Sequence, residues 1–236
     1  MFIISLAGVR IGIDNRYSFV ERQCRAYLTD AGEAEFTVRA TEEEIREEMT
    51  NGTFSEGYCE SICIYRHICE EIAAYRVFLL HASVLEVDGF AYAFLARSGV
   101  GKSTHTRLWI KNIPNARVLN GDKPLLRVNE DGSVTAYGTP WNGKENWGEN
   151  ISAPLAAICF LERGEVNEIR RADEEEILPR LMHQYYLRGE RGSVEQRLVL
   201  LDALMRAVPY FVLRCTISDE AAHVSFGAMQ RKNEKN

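Results

Sequence analysis

Residues 78–104 read Phe-Leu-Leu-His-Ala-Ser-Val-Leu-Glu-Val-Asp-Gly-Phe-Ala-Tyr-Ala-Phe-Leu-Ala-Arg-Ser-Gly-Val-Gly-Lys-Ser-Thr, and the expected fold turns on them. An apolar, strand-like run over 90–95 enters a small-residue loop over 96–101. Lys102, Ser103 and Thr104 then open a helix-compatible stretch that reaches residue 111. This is the strand–loop–helix order of a phosphate-binding loop. Gly99 and Gly101 let the backbone curl so that successive N–H groups face one concavity, and the helix start adds unpaired N–H groups and partial positive charge. The pattern predicts that Ser98, Gly99, Val100, Gly101, Lys102, Ser103 and Thr104 bind the phosphates of a nucleotide. Lys102 would reach the terminal phosphates and Ser103 would ligate Mg²⁺. Ala96 stands where such loops usually open with Gly, so either the loop enters with ordinary dihedrals or the match is weaker. The plainer alternative is a Gly-rich strand-to-helix turn carrying a solvated lysine.

Working outward, the Asp88-Gly89 pair predicts a tight hairpin that delivers the chain into the loop. Upstream, 2–6 and 9–13 read as strands turning near Ala7-Gly8, 17–28 has helical spacing, and 35–39 alternates like a strand. Thr41 with Glu44 forms a capping box that starts a helix through about residue 49. Residues 58–75 carry a helical apolar pattern. Downstream, strands are expected over 116–119, 125–128, 134–137, 156–161 and 210–215. Helices are expected over 173–186, 194–207 and 219–230, the last capped by Ser218. The last six residues read as frayed. The whole predicts an α/β fold, with residues 1–55 a small α+β segment packed on a nucleotide-binding domain over 56–236.

Bulk properties narrow the function. A chain of 236 residues with 46% hydrophobic and 26% charged residues has the composition of a soluble globular protein. Its net charge of −6 argues against a general nucleic-acid binder. No apolar run approaches the roughly 20 residues that span a bilayer. The apolar start over 1–9 reads as a strand rather than a signal peptide, which predicts a cytoplasmic protein. The six cysteines sit among apolar neighbours and read as buried free thiols, without zinc-ligand spacing.

A nucleotide-handling site also needs an acid near the phosphates, to hold magnesium or take a proton from the attacking hydroxyl. Asp122 lies 20 residues beyond Lys102 (122 − 102 = 20), at the end of the next apolar strand. Otherwise it is only a turn former.

His81-Ala82-Ser83, Asp88-Gly89, the loop over 98–104 and Gly121-Asp122 follow the order found in HPr kinase/phosphorylase. The chain therefore resembles the HPr kinase/phosphoenolpyruvate carboxykinase superfamily over about residues 75–150, and most of all its small, HPr-kinase-related bacterial members. The resemblance implies a phosphate-loop core with a twisted mixed sheet and flanking helices. It implies Mg²⁺ and ATP as cofactors, with Ser103 and Asp122 on the metal and Asp122, Lys102 and His81 as the catalytic group. The family places an Asp-Asp pair where this chain has Asp122-Lys123. Asp122 is then either the base or only a metal partner. His81 either lies near the phosphates or is a strand-end histidine satisfied by backbone.

Lys123, Trp141 and Lys144 are the candidate substrate contacts; the loop bearing the last two either closes over substrate or simply packs. Arg97 and Lys123 either supply charge or face solvent, and His105 and Arg107 either touch the nucleotide or lie on the helix surface. The leading expectation is a kinase that phosphorylates a hydroxyl, serine above all, of a peptide, protein or small molecule. A non-catalytic nucleotide-binding sensor or scaffold is the second. A carboxykinase- or phosphorylase-like activity is the third. Relatives of this size are often encoded with peptide-modifying machinery and assemble into oligomers, so the resemblance also admits a homo-oligomer.

Overall fold

In a computed structural model, residues 1–186 and 191–230 are described, the side chains of 191–193 excepted. The expected frayed tail lies outside them. Strands β1 (Phe2–Leu6) and β2 (Val9–Ile13) form a hairpin through Ala7 and Gly8, both at positive φ, and β3 (Phe36–Val38) adds parallel to β2. Around this small sheet lie α1 (Ser18–Gln23), α2 (Glu42–Met49) and α3 (Glu56–Glu71). Helix α2 begins with the expected reciprocal Thr41–Glu44 capping box. Helix α1 is shorter than its apolar spacing suggests. A 3₁₀ turn over Arg25–Tyr27 follows it, and the chain then leaves helical geometry so that Leu28 bridges Ile4 and Thr29 N–H reaches the Ile3 carbonyl. Pairing with β1 overrides local propensity there.

The larger, curled sheet has nine strands. Its path runs through β4 (Val77–Leu79), β8 (Leu125–Val128), β9 (Val134–Tyr137), β10 (Ser152–Arg163), β6 (Phe90–Leu95), β5 (Ser83–Val87) and β7 (Arg117–Asn120), in that order. Strand β12 (Tyr210–Cys215) lies parallel to β10, with β11 (Glu168–Arg171) antiparallel beyond it. The sequence suggested a strand only over 156–161; β10 in fact runs for 12 residues. Pro154 obscures its first half, which pairs with β9 while the second half pairs with β12. Strand β11, also unanticipated, is largely exposed and charged, as a protected sheet edge is.

Helices α4 (Lys102–Asn112) and α7 (Asp219–Met229) cover one face; α5 (Glu174–Met182) and α6 (Arg191–Ala207) cover the other. Along β6 the faces alternate: Ala91, Ala93 and Leu95 join the core under α5 and α6, while Tyr92 and Phe94 join the core under α4 and α7. Coverage on both sides explains why β6 reads as a continuous apolar run. A third core joins β1–β3 to α3 and continues to Val77, Leu125 and Trp141, so the two sheets share packing across residue 55.

Helix α5 stops at Met182, short of the expected 186, because Tyr185 bridges Leu80 and the Gln184 carbonyl accepts from His81 N–H. Ser218 stands at the N-cap of α7, yet its hydroxyl bonds Asn167 and Thr216 instead of capping. The cysteines are free, five of them buried. No helix among the described residues is long and apolar enough to cross a membrane.

His105 belongs to this interior. It lies edge-on to Phe94, Nε2 contacts the Ser225 hydroxyl at 3.2 Å, and Nδ1 is buried with no hydrogen-bond partner among the described residues. Burial pushes its pKa down to about 4. The unfolded chain therefore binds a proton between about pH 6.5 and 4 that the folded chain does not, and stability falls with pH through that window. We expect urea midpoints to report a loss of about 3 kcal/mol from this group on acidification. In His105→Gln, stability should be nearly flat from pH 6.5 to 5.

Candidate active site

Three segments converge at one edge of the larger sheet. Strands β6, β10 and β12 run parallel, and β7 runs the same way because β5 is antiparallel to both β6 and β7. Their carboxyl ends therefore emerge together, the usual place for a ligand in an open α/β sheet. Across that edge stand, in order, Asp122 after β7, His81 before β5, the loop after β6, Arg163 ending β10 and Thr216 after β12.

The loop after β6 places Gly99 at φ 78° and Gly101 at φ 126°, conformations that a side chain disfavours, with nothing within 4 Å of where a Cβ would stand. Ala96 is not among the positive-φ residues, so the missing opening Gly imposes no strain. Its carbonyl accepts from Gln184 Nε2 at 3.2 Å, and the Gly99 carbonyl accepts from Arg163 at 2.5 Å. Lys102 begins α4 with a side chain only 13% exposed. Its Nζ is buried, has no hydrogen-bond partner among the described residues, and stands 3.6 Å from Asp122 Oδ1. Burial lowers its pKa, against the opposing pull of Asp122.

Asp122 is held from three sides. His81 Nε2 lies 2.9 Å from Oδ1. The backbone N–H groups of Asp122 and Lys123 both donate to Asn120 Oδ1, at 2.9 and 2.7 Å. Asn120 is fully buried and donates in turn to Thr139, whose hydroxyl donates to the Lys123 carbonyl at 2.9 Å. Finally, Gly143, at φ 80°, abuts the carboxylate: a Cβ there would lie 2.8 Å from Asp122 Cβ. Burial opposes ionisation of Asp122, but the hydrogen bond and pairing with His81, helped by Lys102 and Lys123, hold its carboxyl below the usual range.

Thus Lys102, Asp122 and His81, separated by up to 41 positions in sequence, form one contiguous group. Ser103 and Thr104 lie half-buried in the first turn of α4, and Ser98 is exposed on the loop. Lys123 lies half-buried beside Asp122. Lys144 is exposed one residue beyond Gly143. Trp141 takes the packing alternative of the two its loop offered. It is 3% exposed, stacks on Tyr65 with centroids 4.2 Å apart, and donates Nε1–H to Ser61. It anchors the 138–148 loop to α3. Arg107 points away to Glu145 and Trp147, and Arg97 is exposed. Asn120, Thr139 and Gln184 had no sequence signature as site residues beyond the turn in which Asn120 sits.

Among the described residues no three His, Cys, Asp or Glu side chains group as metal ligands. A divalent cation here would draw on Asp122, the Ser103 hydroxyl and phosphate oxygens. Such hard donors suit Mg²⁺, which keeps several waters. The buried Lys102 ammonium, paired with Asp122 at 3.6 Å but without a hydrogen bond among the described residues, and the open space beside both glycines fit a polyphosphate.

No family model matches this chain, and no curated protein sequence matches it. Among solved structures, the HPr(Ser) kinase/phosphatase from Coxiella burnetii is similar at a TM-score of 0.38 and 11% identity, over 64% of this chain and 97% of that one. The likeness is distant and carries no weight for the chemistry.

Proposed function

We propose that this chain is a Mg-ATP-dependent phosphotransferase that passes a phosphoryl group to a hydroxyl of a peptide, protein or small molecule. One observation carries the reading: Lys102 Nζ, buried and without a hydrogen bond among the described residues, lies 3.6 Å from Asp122 at the end of an open glycine loop. A buried ammonium whose carboxylate partner stands at 3.6 Å, beyond hydrogen-bond reach, gains when a ligand supplies closer oxygens. Phosphoryl transfer asks for positioning and electrostatics more than covalent chemistry, and a compact site can supply both.

Lys102 and the N–H groups at the start of α4 hold the terminal phosphates. Bound Mg²⁺ supplies charge neutralisation on the phosphate oxygens. Asp122 orients the acceptor hydroxyl and takes its proton as the acceptor O–P bond forms and the bond to the ADP oxygen breaks. His81, hydrogen-bonded to Oδ1, fixes the carboxylate. Calorimetric titration with ATP tests the first half of this scheme. Binding that strengthens at least about tenfold when Mg²⁺ is added is the expected result. No ATP binding in either condition would reject the proposal.

A second reading, a nucleotide-binding module without catalysis, is favoured by Lys123. It stands where the family has an acid, and its charge adds to those holding Asp122 ionised. A carboxylate so fully partnered also serves as a structural tie.

A further inference from the structure

Resting on the phosphate site proposed above, we infer that the nucleoside half of the ligand occupies the cleft on the far side of the loop from Asp122, and is held there by apolar contact without its base being read. A cleft of about 590 Å³ opens between the loop glycines, Leu108 of α4 and the end of β12, where Cys215, Thr216 and Ile217 form the wall. It is continuous with the phosphate site, since Gly99, Gly101 and Thr104 line it. Its volume falls in the range of small-molecule sites.

Topology supplies the direction. Asp122 and His81 flank the loop on the β5–β7 side, while Arg163 and Thr216 flank it on the β10–β12 side. A triphosphate whose terminal phosphate meets Lys102 and Asp122 therefore runs along the loop toward β12. Its sugar and base follow into the cleft, and the Asp122 side is left to the acceptor.

The cleft wall explains the weak reading. Ile217 is an apolar side chain 83% exposed at the rim. Leu108 is partly buried and packs on the core beneath. The polar side chains farther along the wall are engaged within the protein. Thr216 Oγ1 bonds Asn167 and Ser218, Arg163 bonds the Gly99 carbonyl, His105 bonds Ser225, and Glu162 pairs with Arg180. Thr104, in the first turn of α4, lines the cleft beside the loop glycines. Strong discrimination between bases needs hydrogen-bonding groups that the wrong base leaves unpaired; these side chains are engaged within the protein, and the one unpartnered ring nitrogen, His105 Nδ1, is buried away from the cleft's open space.

The test compares ATP, GTP and inorganic tripolyphosphate, each with Mg²⁺, by calorimetry on the wild type, Ile217→Ser and Leu108→Ala. ATP and GTP should bind within about threefold of each other, and both about tenfold or more tighter than tripolyphosphate. Ile217→Ser, at an exposed position that does not bear on folding, should bring nucleotide affinity toward that of tripolyphosphate and leave tripolyphosphate binding unchanged; Leu108→Ala should act in the same direction. Equal affinity for ATP and tripolyphosphate in the wild type would overturn the inference, as would an Ile217→Ser protein with wild-type ATP affinity. A preference between ATP and GTP beyond about a hundredfold would overturn the claim that the base is not read. Failure of both ATP and tripolyphosphate to bind would overturn the phosphate site itself, and this inference with it.

Discussion

Lys102→Met is expected to lose ATP affinity by about a hundredfold without lowering the melting temperature. The first half follows from charge-assisted hydrogen bonds. An ammonium that meets phosphate oxygens in a partly desolvated site contributes about 2–3 kcal/mol, which is the hundredfold range. The second half follows from the unliganded site. Burial depresses the lysine pKa in spite of Asp122 at 3.6 Å, so folding disfavours the charge more than the ion pair favours it. Methionine keeps the length of the side chain and removes the buried charge, and such replacements are often neutral or stabilising. Asp122, with 28% of its side chain exposed, retains His81 as a partner and stays open to solvent. Calorimetry and thermal melts on the same preparations decide the matter. A fall of more than about 4 °C together with the binding loss would mark Lys102 as a structural ion-pair residue.

Asp122→Asn should lower the rate of phosphoryl transfer by about 10²- to 10⁴-fold, the usual contribution of a positioned base. The amide keeps the volume that packs on Gly143 and can still accept from His81, so the turn built on Asn120 should persist. The sign of the pH effect is fixed by the lowered pKa. Stability contributed by the ionised carboxylate is complete above the unfolded value of 3.8 and is lost as pH falls through the lower folded value. Near neutral pH the Asn variant therefore lacks the whole of that contribution, and thermal melts should show, beside the loss of rate, a loss of stability that disappears at acidic pH. ATP turnover assayed against a pool of serine peptides and small hydroxyl compounds provides the readout. A variant with wild-type turnover would favour the binding-module reading.

Much of this site was legible in the sequence for a local reason. The loop is a contiguous segment whose glycines, lysine and flanking strand and helix are each written at fixed spacing. The hairpins at Ala7-Gly8 and Asp88-Gly89 and the Thr41–Glu44 cap were equally legible, because each is closed by neighbours within a few residues. Asp122 was singled out through its place at a strand end. Trp141 and His105 were placed where distant partners decide. Trp141 looks like a substrate contact in its Gly-Thr-Pro-Trp setting, yet Tyr65 and Ser61, from α3, draw it inside. His105 follows the loop lysine closely and still packs on Phe94 and bonds Ser225 in the interior.

The sequence by itself determined the α/β class, the strand–loop–helix element and the chemistry on offer: an ammonium, a carboxylate and hydroxyls beside a flexible turn. Tertiary structure alone decided that His81, Lys102 and Asp122 meet, because their meeting depends on β5 lying between β6 and β7 with all three ends at one edge. It also decided that Gln184 joins the loop to His81, by ending α5 early and drawing the chain against Leu80. The physical reason is common to both cases. Strand order and helix termination here are set by hydrogen bonds and packing between residues tens of positions apart, and local residue patterns do not encode which strand a strand will pair with.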